Sequence, residues 1–88
     1  MSRQRVYSVD TLAIMERFFV AYEMCRELGL IENVGDFCRS INANPPHFYA
    51  QRKRRERGYF EVGWLAPLVR LGVSAEWLLT GQGKILVK

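Results

Sequence analysis

The chain has 88 residues, 49% of them apolar and 12% aromatic, enough for one small core without a metal or disulfide staple and too apolar for a disordered segment. Its net charge of +4 says little alone, but between Arg52 and Arg57 five bases stand with a single Glu, a local surplus equal to that of the whole molecule. One His and two Cys cannot complete a Cys/His zinc set, and no apolar run is long enough for a membrane span.

The start, MSRQRVYSVD, has no apolar signal core, so a soluble, cytoplasmic protein of one domain (1–88) is expected. Residues 1–9 read as a loose arm, in which Arg3 and Arg5 are either simply terminal or able to reach a polyanion. Asp10 is the best N-cap for a first helix over Thr11–Leu28, whose stripe of Leu12, Met15, Phe18, Phe19, Tyr22 and Cys25 faces a core. Gly29 closes that helix, and Asn33 or Gly35 opens a second that runs to about Ile41.

The organising stretch is Asn33–Gly58, NVGDFCRSINANPPHFYAQRKRRERG. Phe37, Cys38 and Ile41 share one helical face, and so do Phe48, Gln51 and Arg52 on the next segment. Between them, Asn42 tolerates the left-handed conformation that stops a helix, Asn44 can cap the next one, and Pro45 fits its first position. Two short helices around a tight corner result, the second with its first turn facing outward.

A fourth helix is expected from Phe60 or Glu61 to about Leu71, with Val62, Leu65, Leu68 and Val69 as its apolar side. Pro67 predicts a kink in that helix or a later start. Ser74 caps a last helix, Ala75–Thr80, that drives Trp77 and Leu78 inward; Gly81 and Gly83 end it. The tail 84–88 carries three consecutive aliphatics, which read as a dimer contact, an edge strand or a plain docked tail.

The segments DFCRSINANPPHFYAQRKR and GVSAEWLLTGQG together resemble the lambda-repressor-like family, the Cro/CI-type regulators. Phe37 and Cys38 take that family's apolar and small positions, Asn42 its turn glycine, Asn44 its cap and Phe48 its inward aliphatic. Arg52 departs from the Glu often found there, and the paired prolines 45 and 46 remove two N–H groups that could meet a phosphate. The resemblance implies an all-α, compact five-helix DNA-binding domain with a helix-turn-helix, and a bacterial or phage transcriptional regulator whose second helix, about 45–54, lies in the major groove.

On that reading Asn44, His47, Gln51, Tyr49 and Arg52 are the candidates for base contacts, since Asn and Gln pair bidentately with adenine and His offers one contact of either polarity. Arg39, Lys53, Arg54, Arg55 and Arg57 are assigned to phosphates, which set affinity and register but not sequence. The expected partners are double-stranded DNA and a second copy of the chain, because one small module buries too little surface for high specificity. No membrane, cofactor or small-molecule substrate is expected, and no catalytic residues: the single His stands apart from either Cys, with no third group to orient it. The alternatives are a protein-protein interaction module on the same fold, or the DNA-binding part of a longer repressor.

Overall fold

A computed structural model describes residues 5–87. Its described residues form five α-helices and very little strand: β1 Arg5–Val6, α1 Val9–Glu27, α2 Val34–Ser40, α3 Pro45–Lys53, β2 Arg57–Gly58, α4 Leu65–Arg70 and α5 Ala75–Thr80. A single 3-10 turn, Val62–Trp64, leads into α4. The expected all-α class is therefore observed.

From Arg5 on, the chain differs from the loose arm expected over 1–9, of which residues 1–4 lie outside the described residues. Arg5 and Val6 pair antiparallel with Gly58 and Arg57, and the Tyr7 N–H donates to the Glu56 carbonyl at 3.2 Å. Arg3 lies outside the described residues. The short ladder delivers Ser8 in an extended conformation, and its hydroxyl accepts the Thr11 N–H at 3.2 Å. Ser8, not Asp10, is thus the N-cap, while Asp10 stands in the first turn, where a carboxylate still complements the helix dipole.

Three helices end the same way. At the end of α1 the Leu30 N–H reaches the Cys25 carbonyl at 2.9 Å and the Gly29 N–H reaches Arg26 at 3.1 Å. The equivalent pairs after α2 are Ala43 to Cys38 and Asn42 to Arg39, and after α4 Val73 to Leu68 and Gly72 to Val69. Each is a Schellman closure, which needs one residue in the left-handed region. Gly29 and Gly72 supply it twice; at the α2–α3 corner it is Asn42, at φ 56°.

The core is a cluster of rings. Phe18 is fully buried and lies within 4.9–6.3 Å, centroid to centroid, of Phe19, Phe37, Phe48, Phe60 and Trp64. Phe48, also fully buried, packs on Phe19, Tyr22 and Phe37 as well. Burying one such side chain contributes about 1.5–3 kcal/mol. Phe48 therefore fixes both the position of α3 on α1 and the rotation of α3 about its own axis.

Of the two outcomes that Pro67 predicts, the later start is the one observed: the α-helix begins at Leu65, not at Phe60 or Glu61. Pro67 then sits in its first turn, where no intrahelical donor is lost. Its buried side is Trp64, Leu65, Pro67 and Leu68, while Val62 and Val69 face solvent, contrary to the expected stripe. In α5, Ser74 caps as expected and Leu78 is fully buried, with Trp77 half-buried. Arg17 of α1 donates to the Leu78 and Leu79 carbonyls at 2.9 and 3.1 Å, capping the end of α5 with a cation. The tail docks in the same chain: Val73 bridges Leu86 antiparallel, the Ser74 N–H reaches the Ile85 carbonyl at 2.8 Å and the Val87 N–H reaches Gly72 at 2.9 Å.

Candidate nucleic-acid interface

The α2–α3 corner is built by short polar side chains. Asn33 caps α2, its Oδ1 accepting the Asp36 N–H at 2.8 Å; the left-handed Asn42 ends that helix; and Asn44 caps α3, its Oδ1 accepting the His47 N–H at 3.0 Å. Pro45 follows at the first helical position. Outward from this corner α3 presents Pro46, Tyr49, Ala50 and Lys53, the exposed stripe at helical spacing.

Gln51 is not on that stripe, and its expected place at a base edge is corrected. It stands three residues after Phe48, on the buried side, with 1% of its surface exposed. Its Oε1 accepts the Tyr59 N–H at 2.6 Å and the Phe60 N–H at 3.1 Å, while its Nε2 donates to the Arg54 carbonyl at 3.2 Å and lies 3.3 Å from the Met15 sulfur. The Tyr7 hydroxyl adds a long contact at 3.4 Å and donates to the Phe60 carbonyl at 3.1 Å. One buried amide therefore ties the segment after α3, and the incoming chain at Tyr7, to the core.

The basic cluster divides into two groups. Arg52 pairs with Glu23 of α1 and Arg55 with Glu16 of α1. Arg55 also donates to the Arg52 carbonyl at 3.1 Å and holds its guanidinium 5.2 Å from the Phe19 ring centroid. These two brace the end of α3 against α1. Lys53, Arg54 and Arg57 remain exposed; Arg54 has Glu56 at 3.7 Å, and neither Lys53 nor Arg57 has a carboxylate within ion-pair reach among the described residues. Arg39, on α2, is exposed and paired with Asp36 one turn earlier.

Of the other expected contacts, Asn44 and Tyr49 are exposed beside the corner. His47 is half-buried, its ring stacked on Tyr59 with centroids 4.2 Å apart and planes 16° from parallel. Tyr59, Gly58 and Tyr7 have no part in the sequence reading of this site. The sequence signal for them is Gly58, directly after the basic run, where a residue without a Cβ lets the chain approach α3 closely.

Neither cysteine belongs to the site. Cys25 and Cys38 are buried as expected, and burial pushes both thiols above their ordinary range. Burial likewise pushes the Tyr22 phenol up, against the lowering effect of its hydrogen bond from Arg26. Among the described residues no group of three or more His, Cys, Asp or Glu is placed to hold a metal ion, and no helix is long and apolar enough to cross a membrane. No protein-family model, no curated protein and no solved structure matches this chain.

Proposed function

We propose that this chain is a sequence-specific DNA-binding regulator of transcription, of bacterial or phage-repressor type, that lays α3 in the major groove. The observation that carries the reading is the α2–α3 corner: a capped helix whose first turn and outward stripe face solvent, flanked by exposed bases. A second helix presented by its N-terminal residues is what major-groove docking uses. Asn44, His47 and Tyr49 are the groups available for base edges on this reading. Lys53, Arg54 and Arg57, with Arg39 from α2, are available for phosphates.

A homodimer goes with this reading, since two half-sites one helical turn apart supply the specificity one module lacks. The exposed Val62, Val69 and Leu79, around a shallow cleft floored by Leu65 and Leu78, offer a second copy an apolar face. That same face supports a second reading, an interaction module for another protein, in which the bases are incidental.

Selection from a random duplex pool at 50 and 200 mM salt, with sequencing of the retained DNA, separates the two. A regulator enriches a palindromic motif, and its affinity falls steeply with salt, by roughly 0.9 in log K per decade of salt for each phosphate neutralised. With four phosphate-facing cations per protomer, a dimer should show a log–log slope on the order of −7. No enriched motif, with a slope near zero, would refute DNA recognition and leave the apolar face as the functional surface.

A further inference from the structure

Tyr59 lies outside the α2–α3 corner, yet it touches α3 twice. Its ring stacks on His47 at 4.2 Å, and its backbone N–H is held by the Gln51 amide at 2.6 Å. His47 and Gln51 stand four residues apart, hence on the same side of α3, and Tyr59 bridges them: backbone on the buried amide, ring on the imidazole. Gln51 is fixed in turn by Phe60 and Arg54, and Gly58 lets the chain pass against it, since a Cβ there would stand 2.0 Å from Gln51 Oε1. The His47 ring plane is therefore set by the buried core, through Tyr59.

A histidine in the first turn of a solvent-facing helix ordinarily samples several rotamers and must be immobilised on binding. Here one face of the ring is already covered, while the residue remains half-exposed in the first turn of α3, between the buried side and the outward stripe. We propose that Tyr59 is a positioning residue for DNA reading, holding the His47 imidazole in the plane from which its edge discriminates one base pair. This rests on the DNA-binding reading above and adds to it a residue from outside the corner. Immobilising a side chain costs enough that releasing His47 should weaken discrimination at its base pair by roughly threefold to tenfold. Discrimination elsewhere in the half-site should not change.

The experiment is duplex selection at one salt concentration with the wild-type chain and with Tyr59→Phe, Tyr59→Leu and His47→Ala, with the His47 ring proton shifts followed by NMR in the free proteins. Expected are an unchanged motif for Tyr59→Phe, and loss of preference at the same single position for Tyr59→Leu and His47→Ala. The ring-current shift of the His47 protons should survive Tyr59→Phe and vanish in Tyr59→Leu. An identical motif for wild type and Tyr59→Leu overturns the proposal while leaving DNA reading intact. So does an unchanged motif for His47→Ala, a truncation that leaves the Tyr59 loop in place even if Tyr59→Leu fails to fold. A wild-type chain that selects no motif sinks the DNA reading itself, and the role of Tyr59 with it.

Discussion

Gly58→Ala tests how the segment after α3 is held. Gly58 has φ 153°, a region side-chain-bearing residues rarely adopt, and an added Cβ would stand 2.0 Å from Gln51 Oε1 and 2.7 Å from Gln51 Cδ. Neither the backbone nor the buried amide can give way cheaply. The backbone strain costs about 1–3 kcal/mol. Expelling the amide strands the Tyr59 and Phe60 N–H groups, of which Phe60 is buried, at about 1–3 kcal/mol for each donor left unpaired. With the penalty counted for the buried Phe60 donor alone, a loss on the order of 2–6 kcal/mol follows, a large part of the roughly 5–15 kcal/mol that holds a domain together. Urea unfolding followed by circular dichroism reads it as a fall in midpoint. The double variant Gly58→Ala/Gln51→Ala removes the atoms the new methyl strikes, so it should lose less than the sum of the single variants, with a coupling of about 1–3 kcal/mol. A single-variant loss below about 1 kcal/mol, or strict additivity, would refute the steric account.

Three further outcomes follow from the core and the caps. Phe18→Ala, which removes the ring shared by α1, α2, α3 and the approach to α4, should cost about 3–5 kcal/mol in the same assay, and a loss below 2 would show that the surrounding rings collapse onto the space. Asn44→Ala should cost about 1 kcal/mol by releasing the His47 N–H, whereas Asn44→Ser should retain most of it; equal losses would mean that the cap is not what matters. Burial raises the Cys25 and Cys38 thiols above 9.0 in the folded chain, so above the unfolded value the native state holds more protons than the unfolded one. The stability this provides is intact below that pH and is lost as pH rises through the folded values. Urea midpoints should therefore fall more between pH 8 and 9.5 for the wild type than for Cys25→Ala/Cys38→Ala; parallel slopes would contradict it.

What was legible in the sequence was local chemistry. Asn42, Asn44, Pro45 and Ser74 act through their own neighbours along the chain, and each stands where a stop or cap signal places it. The apolar stripe of α1, from Met15 through Phe18, Phe19 and Tyr22 to Cys25, was equally readable, because spacing at i, i+3 and i+4 depends on nothing distant. Long-range pairings were not. The Arg5–Val6 ladder joins residues some fifty positions apart, and nothing in MSRQRVYSVD announces its partner. Gln51 failed for a related reason: its spacing from Phe48 pointed inward, but a polar amide in a basic run reads as a surface group until the backbone N–H and C=O groups that satisfy it are in view. Val62 and Val69 went outward because the helix began later than the apolar period suggested.

The division of the basic run changes what its charge can do. Arg52–Glu23 and Arg55–Glu16 are partly exposed pairs, and such pairs add about 0–1 kcal/mol to stability. Their consequence is geometric rather than energetic: two of the five cations are turned toward α1, and the carboxylates of that helix offset their charge. The potential at the outward stripe is then set by Lys53, Arg54 and Arg57, with Arg54 partly offset by Glu56. A polyanion approaching α3 thus meets fewer available cations than the sequence suggests. If the chain binds DNA as proposed, truncating Lys53 or Arg57 should flatten the salt dependence of that binding by about 0.9 in log–log slope per residue and protomer, whereas truncating Arg52 or Arg55 should leave that slope unchanged. Equal flattening by all four would mean that the ion pairs to α1 open on binding, and that the bracing is a property of the free protein alone.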